Sequence, residues 1–167
     1  MGIRKATLAG LLALTVLPVS GASDSESAGG KFDPALAAGP AIQRVYDLVN
    51  RERNKAGLAP LKLDERLCST ARWHAVDMAV GNYFEHRDRQ GRTVGERLSS
   101  YGYHYRYCGQ NIAAGQQTPE EVVQAWMKSP GHRENILRRE FREVGIAFVQ
   151  NPNSRYGRYW VQDFGTP

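Results

Sequence analysis

Only two cysteines, Cys68 and Cys108, occur in the 167 residues, so the fold cannot be a disulfide scaffold. No apolar run approaches the roughly 20 residues that a bilayer-spanning helix needs, which excludes a helical membrane-embedded body. Familiar catalytic signatures are also missing. His132-Arg133-Glu134 has the wrong order for H-E-x-x-H and lacks its second histidine. The stretch from Gly109 to Gly115 lacks the terminal Lys and Ser/Thr of a phosphate loop. No G-x-S-x-G elbow is found. Ser129 lies close to His132, but no acidic residue can be assigned to orient the imidazole. What remains is ordinary globular material: 41% hydrophobic and 23% charged residues, enough for a core in one domain.

The first segment stands apart. Arg4 and Lys5 precede an apolar stretch from Ala6 to Leu17, followed by Pro18 and the small residues Ser20, Gly21 and Ala22. This order predicts a signal peptide over residues 1–22, cleaved after Ala22, and a secreted product, extracellular or periplasmic. Residues 23–39, rich in Ser, Gly, Ala and Asp without periodicity, read as a flexible leader. Residues 40–167 form the single domain. Without Arg4 and Lys5, 20 of the 22 basic residues face 17 acidic ones, a mature charge of about +3. The isoelectric point near 9.4 therefore overstates the case for a nucleic-acid partner, and none is expected. Arg133, Arg138, Arg139, Arg142, Arg155 and Arg158 are interleaved with Glu134, Glu140 and Glu143. That pattern reads as a solvated mixed-charge face more than as a site for an anionic cell-surface polymer.

In an exported chain, an even pair of cysteines most simply forms one disulfide. A Cys68–Cys108 bridge would close a loop of about 40 residues and contribute roughly 4 kcal/mol. The rival is a cysteine nucleophile, which would leave a free thiol in an oxidising compartment.

Local patterns predict helices in front and strands behind. Ile42, Val45, Leu48 and Val49 recur at helical spacing from Pro40 to Ala56, and Gly57 ends that helix. Asp64 caps a second helix that ends at Gly81-Asn82, and Val94 to Ser100 forms a short third. Tyr101, Tyr103, Tyr105 and Tyr107 alternate with other residues and would share one face of an extended segment. Thr118-Pro119-Glu120-Glu121 opens a helix that stops at Pro130-Gly131. Val144, Ile146 and Phe148 alternate in a strand, which returns as Tyr159 to Phe164. The class is α+β.

Of the four histidines, His74 lies on an apolar helix face and reads as a core residue, while His104 lacks an acidic neighbour. His86 and His132 each stand where an element ends, a position from which a side chain can overlook a cleft. Two imidazoles suit zinc, but a stable site wants a third or fourth ligand.

The strings Tyr83-Phe84-Glu85-His86, Gly109-Gln110-Asn111-Ile112-Ala113 and Ala125 to Leu137, in their order, carry a clear likeness. So do Val49 to Arg53 with Gly57 to Leu61, Val144 to Ala147, and Tyr159 to Phe164. Over residues 41–165 the chain resembles the CAP superfamily of cysteine-rich secretory, antigen 5 and pathogenesis-related proteins, in its bacterial SCP-like secreted branch. The resemblance implies a three-layer α-β-α sandwich with a central cleft, where two histidines and two glutamates hold a divalent ion in many relatives. His86 and His132 match the histidines. Gln110 replaces one glutamate, and Ser129 falls near the other. A neutral amide is a poorer zinc ligand than a carboxylate and cannot act as a general base, although it can fix an imidazole tautomer. Glu96 is a candidate replacement carboxylate, or simply a residue at a helix start.

The resulting expectation is a monomeric, non-catalytic binding module. Its cleft of His86, His132, Gln110, Ser129 and Glu96 would take a small or lipid-like ligand or a weakly held zinc. The alternative is a metal-assisted hydrolase acting on peptides or cell-wall polymer, a reading that Gln110 weakens.

Overall fold

The computed structural model describes residues 39–167, so the signal peptide and nearly all of the leader lie outside the described residues. Helix α1 (Pro40–Lys55) starts with proline at its first position, where a missing N–H costs nothing. A two-residue strand, β1 (Lys62–Leu63), leads to α2 (Glu65–Gly81). The Asp64 side chain accepts from the backbone N–H groups of Arg66 and Leu67, and Asn82 ends α2 in the left-handed conformation. Helix α3 (Val94–Ser100) opens with a complete capping box between Thr93 and Glu96. Strand β2 (Tyr107–Ala114) precedes α4 (Pro119–Lys128) and α5 (Pro130–Leu137), and β3 (Glu143–Gln150) and β4 (Arg158–Thr166) close the chain. The four strands lie in the order β1-β3-β4-β2, with β1 parallel to β3 and the other pairs antiparallel.

Strand alternation divides the core in two. Val144, Ile146, Trp160, Phe164 and Ala113 face α1, α4 and α5. Ala147, Tyr159, Val161 and Ile112 face α2 on the other side, which gives the α-β-α sandwich. Arg53 of α1 is 1% exposed, yet its guanidinium donates to the carbonyls of Ala59, Ile136, Arg138 and Phe141 at 2.8–3.2 Å. This buried charge ties α1 to the end of α5.

The opposite layer depends on a missing side chain. A Cβ at Gly145 of β3 would lie 1.9 Å from the Leu67 carbonyl carbon and 2.2 Å from the Cys68 nitrogen. Backbone, unlike a flexible side chain, cannot step aside, so glycine is what lets α2 lie directly on the sheet.

Three expectations need correction. Both cysteines are free thiols. Cys68 lies against Gly145 of β3, while Cys108 is on β2, and β4 runs between those strands. The buried Tyr103 ring fills the space over Gly165, the β4 residue paired with Cys108. The nucleophile reading fares no better. Burial pushes the Cys68 thiol up to about 11 and raises Cys108, the reverse of an activated cysteine.

The tyrosines at 101–107 do not share a face. Gly102, at φ +73°, turns the chain after α3, and the Tyr103 N–H reaches back to the Leu98 carbonyl. Tyr103 is thereby buried, Tyr101 and Tyr105 stay exposed, and extended structure begins only at Tyr107. Finally, the chain does not leave helical structure at Pro130. It re-enters it there, so His132 lies in the first turn of α5.

Gly145→Ala is expected to lower unfolding free energy by about 3 kcal/mol, seen as a lower urea midpoint. An unchanged midpoint would mean that α2 can lift off the sheet without loss.

Candidate functional site

The site grows from the free edge of the sheet. Among the described residues, strand β2 pairs only with β4, and two of its carbonyls are covered by side chains from the helical layer. Trp126 Nε1 donates to the Ile112 carbonyl at 3.2 Å, and Asn135 Nδ2 to that of Gln110 at 3.2 Å. Gln110 and Asn111, neighbours on this strand, project to opposite faces. Each meets one of the two histidine segments.

On the α2 face, His74 Nε2 donates to the Glu85 carbonyl at 3.0 Å and fixes the loop behind His86. Tyr83 contributes by donating to Asp77 Oδ2 at 2.6 Å. His86 Nδ1 then lies 2.9 Å from Gln110 Oε1. On the other face, Asn111 Nδ2 donates to the His132 carbonyl at 3.1 Å, and Asn135 Nδ2 donates to Asn111 Oδ1 at 2.9 Å. His86 is exposed and His132 half-buried. Burial, followed by the charge of His86, lowers the His132 pKa. Its place in the first helical turn acts in the same direction, because a helix N-terminus repels a cation.

Behind Gln110 stands a residue that the motifs did not flag. Asp163 of β4 is fully buried, and its Oδ1 accepts from Gln110 Nε2 at 2.8 Å. Its Oδ2 lies 2.8 Å from the Thr70 hydroxyl of α2. An ionised carboxylate only accepts, so Gln110 must turn its NH2 inward and its oxygen toward His86. His86 Nδ1 therefore donates to Gln110 Oε1, an arrangement in which a neutral ring has Nε2 bare. The signal for this residue was present in the sequence: Asp163 shares the inward face of an apolar strand with Tyr159 and Val161.

Burial pushes Asp163 up to about 6, against the pull of Gln110, Arg97 and Thr70. Arg97 is also buried, bonded through Nη1 to the Arg92 carbonyl at 2.9 Å, with Nη1 3.9 Å from Asp88 Oδ2. His74 is pushed down to about 4, first by burial and then by the Arg97 charge.

Glu96 does not supply the cleft with a carboxylate. Its Oε2 accepts from the Thr93 N–H at 2.7 Å and from the Thr93 hydroxyl at 2.8 Å, both at the start of its own helix. Ser129 is half-buried at the α4–α5 junction, and its side chain makes no capping hydrogen bond.

Residues 46–164 match the profile of CAP, the cysteine-rich secretory protein family. The chain belongs to the CAP family. The uncharacterized Bacillus subtilis protein YkwD is 43% identical over 122 residues, 73% of this chain and 46% of that protein. The uncharacterized membrane protein YlbC of Bacillus subtilis is 29% identical over 122 residues, 73% of this chain and 33% of that one. This CAP chain thus spans less than half the length of both relatives. An extracellular SCP-domain protein from Bacillus anthracis has a crystal structure that superposes with a TM-score of 0.67 at 30% identity. The match covers 75% of this chain and 40% of that one. An outer surface protein of Borrelia burgdorferi shares the fold with a TM-score of 0.70 at 22% identity, covering 75% and 92% of the two chains. Structural relatives of this CAP domain are thus described as extracellular or outer-surface proteins, and among the described residues no helix is long and apolar enough to cross a membrane.

The CAP cleft does not fit a resident zinc. Among the described residues, no three His, Cys, Asp or Glu side chains are gathered to hold a metal ion. Around β2 the described residues offer the His86 and His132 imidazoles and the Gln110 amide oxygen, already engaged by His86, short of the three protein ligands that catalytic zinc sites keep.

The two buried titrations have opposite signs. Asp163, raised from 3.8 to about 6, adds stability that is complete below about pH 4 and lost as pH rises through 6. His74, lowered from 6.5 to about 4, adds stability that is complete above about 6.5 and lost as pH falls through 4. They offset each other between those limits. Asp163→Asn removes only the first contribution. From pH 7 to pH 4 the variant is expected to lose about 3 kcal/mol relative to the parent, measured by urea unfolding at both values. A constant difference between the two proteins would contradict the buried-carboxylate assignment.

Proposed function

We propose that this CAP domain is an exported, monomeric and non-catalytic binding module, released after Ala22 to the cell exterior or periplasm. Its cleft at His86, His132, Gln110 and Ser129 takes a small or lipid-like ligand bearing a hydroxyl or amide. The observation that carries the reading is the Asp163–Gln110–His86 chain. It presents a bare imidazole nitrogen beside an uncharged amide. His132, whose neutral form is favoured, stands on the other side of the same edge strand. Such groups exchange hydrogen bonds with a polar ligand and give a metal ion little to hold.

None of the carboxyl or amide groups expected at the cleft can serve the metal-assisted hydrolase as a carboxylate base. Gln110 cannot take a proton, Glu96 is bound at its helix start, and Asp163 is sealed behind Gln110. No observation favours that alternative. Gln110 is also matched to its partner, since a glutamate there would set two carboxylates against each other with one proton to share.

Zinc titration by calorimetry tests the reading. The unmodified chain is expected to bind weakly, through His86 and His132 alone, and His86→Ala to abolish the signal. Gln110→Glu should cost about 3 kcal/mol of stability, and adding Asp163→Asn should restore it while tightening zinc. Nanomolar affinity in the unmodified chain, or metal-dependent hydrolysis lost with either histidine, would overturn the proposal.

A further inference from the structure

The outer face of α2 carries a row of apolar side chains that the sandwich does not use. Trp73, Val76 and Val80 follow at spacings of three and four, so they line one side of the helix. Phe84 continues the row just beyond its end. Val80 is 67% exposed, Val76 40% and Phe84 37%, and none of them enters a buried cluster. Single exposed apolar residues are common, but the exposed Val76, Val80 and Phe84 beside a half-buried Trp73 are more than that.

Arginines surround the row. Arg72 follows on the same helix and is exposed. Arg92 lies over the Trp73 ring, 4.8 Å from its centroid. Arg89 packs against Gly81 at the end of the helix, beside Val80. At the far end, Phe84 meets Tyr156 at 5.7 Å, and Arg155 lies over Tyr156 at 5.3 Å. The carboxylates nearby are mostly hidden. Asp77 and Asp88 are buried beneath Arg89 and Arg92, which leaves Glu85 as the one exposed acid over residues 72–92.

We infer that this face docks on an anionic lipid bilayer. The occupant follows from shape and charge. The row is the convex outside of a single helix, so it offers no groove for a partner's side chain, whereas a bilayer deforms around it. A Trp and a Phe with arginines alongside suit the boundary between acyl chains and headgroups. Arg89 and Arg92 are held by Asp77 and Asp88, so the exposed Arg72 and Arg155 supply the charge that would meet lipid phosphate and select anionic lipid. Docking here would bring the cleft toward the membrane, because Phe84 is two residues from His86. The inference nevertheless stands apart from the cleft reading and rests on other residues.

Flotation of the mature chain, from Ser23 onward, with vesicles decides it, using phosphatidylglycerol in phosphatidylcholine against phosphatidylcholine alone. Binding is expected only to the anionic vesicles, weakening as salt rises. It should blue-shift tryptophan emission through Trp73, since Trp126 and Trp160 are already buried. Val76→Glu with Val80→Glu should weaken binding by about tenfold or more, and Arg72→Glu with Arg155→Glu should do the same with the apolar row intact. Circular dichroism verifies that both variants fold. Failure to bind anionic vesicles, equal binding to both vesicle types, or affinity unchanged by both variants would overturn the proposal. So would a dimer in sedimentation that Val80→Glu dissolves, which would assign the face to a second copy of the chain.

Discussion

One buried carboxylate organises the centre of this molecule. Asp163 sits on β4, between the edge strand and the strand under α2, with no exposure to solvent. Its two oxygens reach Gln110 on β2 and Thr70 on α2. A charge in such surroundings is costly unless every lone pair finds a donor. The orientations of Gln110 and, through it, His86 are consequences of satisfying that demand. The arrangement seen at the rim of the cleft is therefore set from the interior outward.

The two helical layers are attached to the sheet by different means. On one face α2 lies on bare backbone at Gly145, with packing as the force and a missing methyl as its condition. On the other, α5 is stitched on by polar groups. Arg53 gathers carbonyls at its end, while Asn135 and Asn111 lace its start to β2. An edge strand would otherwise leave a row of unpaired backbone groups. Here side chains of the helical layer take up two of its carbonyls, and they hold His132 in place by the same contacts.

An amide at position 110 differs from a carboxylate in its chemistry more than in its shape. A carboxylate would add charge for a cation and a base for proton transfer. The amide supplies neither, but it both donates and accepts, so it can serve Asp163 and His86 at once. That dual role ties the amide at position 110 to the presence of an acid at position 163.

Much of this was legible from the chain alone. Asp64, Thr118-Pro119 and Gly81-Asn82 mark helix ends, because capping depends on nearest neighbours. Alternation in Val144-Gly145-Ile146 and Tyr159 to Phe164 marks strands, and the ordered motifs mark the family and hence the α-β-α sandwich. Other features were set by contacts distant in sequence. Cys68 and Cys108 suggested a bridge by their number, yet both are free thiols. Glu96 looked free for the cleft, although its own helix start claims it. Asp163 lay within the Tyr159 to Phe164 string but was not singled out, because its importance comes from Gln110 and Thr70, 53 and 93 residues away. Local pattern determined the elements and the family, and tertiary packing alone decided which polar groups are buried together, since that depends on which faces the sheet brings into contact.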